Sequence, residues 1–337
     1  MKTEPKKSWT SAEDVLTLAR SYQGAAVLGA AADLDLFDAV KAAPGTAAEL
    51  AAKLNCDPRG LTVLLDALTS MGLLEKWADR YAVPAGLEDL LTTDGPGSVL
   101  AMVQHQANCL RRWAQLASVV KLGRPAAAMP SVRGDTGDQQ AFVGAMHNLA
   151  ALTADHVIRA VQPLRFQHLL DLGGGSGTWT IAFLRACPAA RATLFDLPHV
   201  IPMAERRLAA AGLRDRVSLV PGDFLTDKLP GGADLAWVSA IVHQNSRAQN
   251  RSLFANIFQA LAPGGRIAIR DVLMEHTRTS PAAGALFAVN MLVATEGGGT
   301  FTFEELKEDL SAGGFRQAAV QRRDEAMNSI VVAHKRG

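Results

Sequence analysis

The sequence predicts a two-part protein: an all-helical N-terminal domain with the order of a winged helix, then a doubly wound α/β domain whose parallel sheet closes in an antiparallel edge hairpin. Three observations carry this reading. From Phe166 onward, short apolar runs alternate with helical patterns, as expected of parallel strands covered by helices. The first of those runs ends in a glycine-rich turn that opens a helix, HLLDLGGGSGTWTIAF. Residues 46–84 read as helix, turn, helix and hairpin. A length of 337 residues suits two domains with cores of their own.

The elements follow in order. Between Glu13 and about Val40, apolar residues such as Leu16, Leu18, Ala19, Val27 and Leu28 recur at helical spacing. Thr46 and Glu49 then form a capping box for a short helix, Asn55 to Pro58 make a turn, a second helix runs from about Arg59 to Met71, and Gly72 ends it. LLEKWADRYAVP is the hairpin, or wing. Three helical patterns over about 97–162 are separated by the Gly123 to Pro130 loop and by a flexible GDTGD stretch. The strands of the second domain are HLLDL, ATLFDL, VSLVPGD, DLAWVSAIV and RIAIRDVL, with helices near 177–186, 199–211 and 248–262 between them. RQAAVQR and NSIVVAH, joined by a short turn, must pair antiparallel. The expected boundaries are 1–100 for the winged-helix domain, 101–162 for a helical linker contributing to an acceptor pocket, and 163–337 for the α/β domain.

Composition narrows the function classes. Hydrophobic residues make up 48% and charged residues 20%, which excludes global disorder, and the net charge of +1 gives no reason to expect nucleic acid or an anionic membrane as partner. Cys56, Cys109 and Cys187 have neither metal-ligand nor redox spacing, which suits a reduced compartment. The N-terminus lacks a signal-peptide pattern and no apolar run spans a bilayer, so a cytoplasmic location is expected. A winged helix raises the possibility of a DNA-binding regulator. Residues 1–100, however, hold nine Lys or Arg against fourteen Asp or Glu, and the second helix carries only Arg59 against Asp66. A phosphate-binding surface is basic. Leu61, Leu64, Leu65 and Leu68 point instead to burial in a subunit interface, hence a homodimer through the N-terminal domain.

The glycine turn carries the cofactor signal. Gly173, Gly174, Gly175 and Gly177 permit positive φ and let a ligand lie against the main chain at the carboxyl edge of the first strand. The spacing departs from the GxGxxG of dinucleotide enzymes, with Thr178 where the last glycine would stand, so hydride chemistry is the weaker reading. Asp171, just before the glycine run, suits a cationic ammonium more than a phosphate. Asp196, in LFDLPHV, lies 25 residues further on and can accept both ribose hydroxyls, while Asp223 and Phe224, in VPGDF after Gly222, suit an adenine amino group and ring. S-adenosylmethionine combines these groups.

DLGGGSG, FDLPHVI, GDF, LAPGGRIAIRDV and the closing GGF hairpin stand in the order found in another group of proteins. With them the chain resembles, over nearly its whole length, the plant caffeate and bacterial small-molecule O-methyltransferases, whose Rossmann-like class I methyltransferase domain follows a winged-helix dimerisation domain. The resemblance implies S-adenosylmethionine as cofactor, S-adenosylhomocysteine as product, His243 as general base, Asp271 as the first of two acids that orient its imidazole, and Leu197 among the cofactor contacts. Histidine suits this role because a phenol of pKa about 10 is mostly protonated at neutral pH. Three departures stand out. Gln244 and Asn245 replace the usual Asp and Trp, Thr300 replaces the second acid, and Ser239 replaces a lysine that often contacts the cofactor.

Phe142, Met146, His147, Asn290, Met291 and Thr295 are the acceptor-pocket candidates; Phe142, Met146 and Met291 fall at helical positions resembling the family's acceptor wall. No metal is expected, since no His-x-x-x-His or paired-carboxylate pattern accompanies the histidines. The acceptor atom stays open between a phenol or enol hydroxyl and a thiol or other acidic nucleophile. Non-methylating chemistry on the same fold, such as decarboxylation or hydroxylation, is a further alternative because function lives in sites rather than folds.

Overall fold

The structure, a computed structural model, describes residues 9–160 and 165–336. Contacts divide the chain into two units, one of residues 1–110 and 129–145, the other of 111–128 and 146–337. The segment expected as a linker is therefore shared between them, and its expected end near 162 lies outside the described residues.

The first unit opens with helices α1 (Ala12–Arg20), α2 (Tyr22–Asp33) and α3 (Leu36–Ala42). Strand β1 (Gly45–Thr46) leads into α4 (Ala47–Leu54) and α5 (Pro58–Ser70), followed by β2 (Glu75–Trp77), β3 (Arg80–Ala82) and α6 (Ala85–Leu91). The three strands form one small antiparallel sheet in the order β1-β3-β2, which is the wing. Thr46 Oγ1 accepts from Glu49 N at 3.2 Å and Glu49 Oε2 accepts from Thr46 N at 2.8 Å, the reciprocal capping box that the sequence predicts for α4.

The expected use of the α5 leucines is corrected. Leu61, Leu65 and Leu68 are at most 3% exposed and pack within their own unit among Phe37, Val40, Leu50 and Tyr81, with Leu64 partly buried beside them. An amphipathic helix in a small domain turns its apolar stripe to the domain's own core first. Helix α1 buries no residue and exposes Val15, Leu16 and Leu18 together, with Tyr22 just after it, while Val63, Trp77 and Leu90 are exposed elsewhere in the same unit.

Helices α7 (Leu100–Trp113), α8 (Leu116–Leu122), α9 (Gly134–Ala151) and α10 (Ala154–Ala160) follow. The GDTGD stretch, expected to be a flexible loop, is instead the first turn of α9. Gly134 takes a φ of +71°, Asp135 sits where the helix dipole favours a negative charge, and Asp138 accepts from Ser131 N at 2.9 Å and Ser131 Oγ at 2.5 Å. Those bonds tie the polar segment down, overriding its low helix propensity.

The second unit is built on seven strands: β4 (His168–Leu172), β5 (Arg191–Asp196), β6 (Val217–Pro221), β7 (Ala233–Ser239), β8 (Leu261–Asp271), β11 (Arg316–Arg322) and β12 (Ser329–His334); β9 (Leu273–Met274) and β10 (Phe301–Thr302) form a separate short pair. The sheet order is β11-β12-β8-β7-β4-β5-β6. The five strands from β8 to β6 are parallel and the last two antiparallel, as the sequence predicts. Helices α11 (Thr178–Ala186) and α12 (Ile201–Ala210) contribute Trp179, Phe183, Ala204 and Leu208 to the core on one face. Helices α13 (Arg247–Ala260) and α15 (Phe303–Ala312) contribute Leu253, Phe254, Ile257, Leu306 and Leu310 to the core on the other, while α14 (Ala282–Ala294) follows β9. Each fully buried Leu, Ile or Phe among these stabilises the fold by roughly 1.5–3 kcal/mol. The order reverses beside β4, so the carboxyl ends of β4 and its neighbours form the crevice where open α/β sheets bind ligands.

Candidate active site

The glycine turn after β4 is shaped by contacts that exclude side chains. Gly173 has φ +64°, and a Cβ there would lie 2.6 Å from Ile241 Cδ1; one at Gly174 would lie 2.6 Å from Leu194 Cγ. Gly175, with φ +56°, has no atom near its missing Cβ and leaves the main chain open on that side. Gly177 takes φ +78° as the N-cap of α11. The turn is anchored at its far end by Asp196, whose Oδ2 accepts from Gly175 N and whose Oδ1 accepts from Leu197 N, both at 2.7 Å. Each carboxylate oxygen keeps a second lone pair, so Asp196 can still accept two hydroxyls. Burial raises its pKa, countered by those two backbone donors.

Asp171 lies beneath the turn rather than on its surface. It is 1% exposed and accepts from Thr180 Oγ1 at 2.5 Å. Burial pushes its carboxyl up to about 7, the Thr180 bond opposes the rise, and the Asp196 charge adds to it. At the end of β6, Gly222 is forced by Phe195, whose Cζ would lie 2.4 Å from an added Cβ. Asp223 Oδ1 accepts from Leu225 N at 2.9 Å, and Phe224 stands half-buried with its ring edge toward Gly173. Leu197 is 39% exposed.

Beyond β7 the chain leaves the sheet through Ala240, a non-glycine residue at φ +59°, and enters a 3₁₀ turn, Val242–Gln244. That bend delivers His243, which is 6% exposed. Its Nδ1 lies 2.9 Å from both carboxylate oxygens of Asp271 at the end of β8. An ionised carboxylate only accepts, so Nδ1 carries the proton and Nε2 is the basic nitrogen. Asp271 Oδ1 also accepts from Val272 N at 2.8 Å, and Phe287 meets the imidazole edge-on with centroids 4.7 Å apart. The loop is pinned from behind: Asn250 Nδ2 donates to Val242 O at 2.9 Å, Asn245 Nδ2 donates to Asn250 Oδ1 at 3.1 Å, and Gly299 N donates to His243 O at 2.9 Å. Phe287, Asn250 and Ala240 carry no sequence signal; only the fold brings them to the histidine. Thr300 is buried and its carbonyl accepts from Arg278 at 2.7 Å.

The acceptor candidates are divided between the two units, Phe142 in the first and the other five in the second. His147 has both ring nitrogens engaged, Nδ1 with Thr178 Oγ1 at 2.8 Å and Nε2 with Arg207 Nη2 at 2.7 Å, and burial with the Arg207 charge pushes its pKa down to about 4. It is a neutral brace on the first turn of α11. Asn290 Oδ1 accepts from Trp113 Nε1 at 2.9 Å, and Thr295 Oγ1 donates to Met291 O at 2.8 Å while accepting from Gly298 N. Met291 is 6% exposed and Met146 half-buried. Phe142 belongs to the other unit, where it packs edge-on against His105. Ser239, at the end of β7, accepts from Arg270 Nη1 at 3.1 Å.

Taken in sheet order, β6 offers an acid and an aromatic ring, β5 a carboxylate for two hydroxyls, β4 an open glycine main chain above a buried acid, and β7 with β8 a carboxylate-oriented histidine. The residues fit a nucleoside bearing a cationic amino-acid tail, with a histidine beside it, the set of groups that an S-adenosylmethionine-dependent methyltransferase needs. The comparisons agree. The profile of the O-methyltransferase domain matches residues 113–316 and that of the O-methyltransferase dimerisation domain matches residues 16–91. The chain is 32% identical over 275 residues to 3-hydroxy-5-methyl-1-naphthoate 3-O-methyltransferase of Streptomyces sahachiroi, covering 80% of each chain. It is 32% identical to the tetracenomycin polyketide synthesis 8-O-methyl transferase TcmO of Streptomyces glaucescens, over 90% of this chain and 91% of the relative. The crystal structure of human N-acetylserotonin methyltransferase in complex with S-adenosylmethionine superposes with a TM-score of 0.80 at 26% identity, covering 99% of this chain and 100% of that one. The chain belongs to the O-methyltransferase family, and its cofactor is S-adenosylmethionine.

Proposed function

We propose that this enzyme methylates a phenol or enol hydroxyl of a small aromatic or polyketide-like acceptor, with His243 as general base and Asp271 orienting it. The buried His243–Asp271 pair is the observation that carries the reading, because a carboxylate on Nδ1 fixes the tautomer and supports the imidazolium that proton removal creates. When bound, S-adenosylmethionine supplies a methyl group on a sulfonium that leaves as a neutral thioether. His243 Nε2 takes the hydroxyl proton as the acceptor oxygen attacks that methyl carbon, and the broken C–S pair stays on sulfur. Asp271 remains ionised and Phe287 limits rotation of the ring. Asp196 holds the ribose, Asp223 and Phe224 the adenine, and the glycine turn the tail. The naphthoate 3-O-methyltransferase and the tetracenomycin polyketide 8-O-methyl transferase, both named for transfer to oxygen, support the acceptor class.

We further infer a homodimer, formed through the uncovered apolar residues of α1 and Tyr22 together with the dimerisation-domain match. Cys56, Cys109 and Cys187, none of them in a disulfide, support a reducing, cytoplasmic setting, and no helix among the described residues is long and apolar enough to cross a membrane. Incubation with methyl-labelled cofactor and a panel of phenolic, thiol and amine acceptors tests the reading. Label in an O-methyl ether and none in a thioether is the expected result; transfer only to sulfur or nitrogen would overturn the hydroxyl assignment.

A further inference from the structure

Arg270, the second-to-last residue of β8, is 6% exposed, yet among the described residues its hydrogen bonds reach only neutral groups. Nε and Nη2 donate to Asn328 Oδ1 at 2.9 and 2.7 Å, and Nη1 donates to Ser239 Oγ at 3.1 Å. The guanidinium lies 4.6 Å from the centroid of the Trp179 ring. Burial lowers its pKa to about 10, with Asp271 and Asp324 opposing the fall from longer range, so it remains charged at neutral pH. A buried cation without an ion-pair partner is costly, and a ligand anion brought close to it would be strongly favoured.

The position of this charge selects the anion. Ser239 and Arg270 are register partners at the carboxyl ends of β7 and β8, and Trp179 is the second residue of the helix opened by the glycine turn. With adenine at β6, ribose at β5 and the reacting sulfur facing His243, the amino-acid tail lies between the β4 turn and the end of β7. Ser239 Oγ accepts from the guanidinium, so its own proton is free to be donated outward as a charge-assisted bond. Because Ser239 replaces a lysine often found at this position among related enzymes, the cation here comes from the neighbouring strand instead.

We propose that Arg270, acting through the Ser239 hydroxyl, is the positioning residue that recognises the carboxylate of the cofactor's amino-acid tail. The proposal rests on the S-adenosylmethionine assignment. Its test is calorimetric, with two probes: S-adenosylhomocysteine, and 5′-methylthioadenosine, which has the nucleoside and sulfur but no amino-acid tail. Arg270→Gln should weaken S-adenosylhomocysteine by about 10-fold to 100-fold, the range for losing one charge-assisted bond, and leave 5′-methylthioadenosine within about 3-fold of wild type. The double variant Ser239→Lys, Arg270→Ala returns the cation to β7 and should recover most of the S-adenosylhomocysteine affinity, which a purely structural role for Arg270 would not allow. If Arg270→Gln does not fold, Ser239→Ala carries the test, with a smaller loss confined to S-adenosylhomocysteine. Equal losses for the two probes, or none for either, would overturn the proposal while leaving the cofactor assignment intact. Failure of the wild-type chain to bind S-adenosylhomocysteine would overturn both.

Discussion

Replacing Asp171 with Asn should make the ligand-free protein more stable and the cofactor bind less well. Asp171 is buried, accepts hydrogen bonds from the hydroxyl and the backbone of Thr180, and has its carboxyl raised from 3.8 to about 7, chiefly by desolvation. A carboxyl whose pKa is raised on folding contributes its full stability only below the unfolded value and loses it as pH climbs to the folded value. At about 1.4 kcal/mol per pH unit, the loss is about 1.5 kcal/mol at pH 5 and reaches about 4 kcal/mol by pH 8, as an upper bound. Asn keeps the shape and an acceptor for Thr180 without the charge. Thermal unfolding of the apo protein should therefore show little difference between wild type and Asp171→Asn at pH 4. At pH 8 the variant should melt several degrees higher, at about 2–4 °C per kcal/mol for a domain of this size. Affinity for S-adenosylhomocysteine should fall in the same variant, because the ammonium loses an anion beneath the turn. A stability difference that does not change between pH 4 and pH 8 would refute the placement of a high-pKa acid under the glycine turn.

Three further outcomes follow from the geometry. Asp196→Asn should lower S-adenosylhomocysteine affinity by about 10-fold or more, since one oxygen shared by Gly175 and the ribose becomes a donor; unaltered calorimetric affinity would remove Asp196 from the ribose site. Ala240→Gly should raise unfolding stability by about 0.5–1 kcal/mol, because Ala240 is held at φ +59°, and a destabilised variant would contradict the strain assigned to that bend. Light scattering should give a dimer at micromolar concentration, and replacing Leu16 and Leu18 by Asp should shift it to monomer with the fold retained; a double variant that stays dimeric would move the interface away from α1.

Local pattern suffices for part of this molecule. Strands β4 to β8 are readable because each is a short apolar run bounded by turn chemistry, and the hairpin is readable because two strands with a short turn have one way to pair. The His243–Asp271 pair is legible only through likeness to related enzymes, since 28 positions separate the two side chains and no spacing rule joins them. Apolar periodicity reveals a face without naming its partner, which is why the α5 leucines read as an interface and are in fact core. Likewise, the polar GDTGD run hides the bonds from Ser131 to Asp138 that make it helical. Arg270 on its own is one basic residue in an apolar strand. Its meaning appears only when β7 and β8 set it opposite Ser239 and the closing hairpin brings Asn328 to its guanidinium.

Base catalysis by His243 is tested most directly by single-turnover methyl transfer to phenols of graded acidity, in wild type and His243→Ala at saturating cofactor. In the proposed mechanism the imidazole removes a proton that weakly acidic phenols still hold at neutral pH, so the variant should be slower by about 100-fold to 10,000-fold for those acceptors. S-adenosylhomocysteine affinity should be nearly unchanged, and the defect should shrink steadily as acceptor pKa falls below the working pH. Equal rates in the two proteins for every acceptor would contradict the assignment and leave His243 as a wall of the pocket.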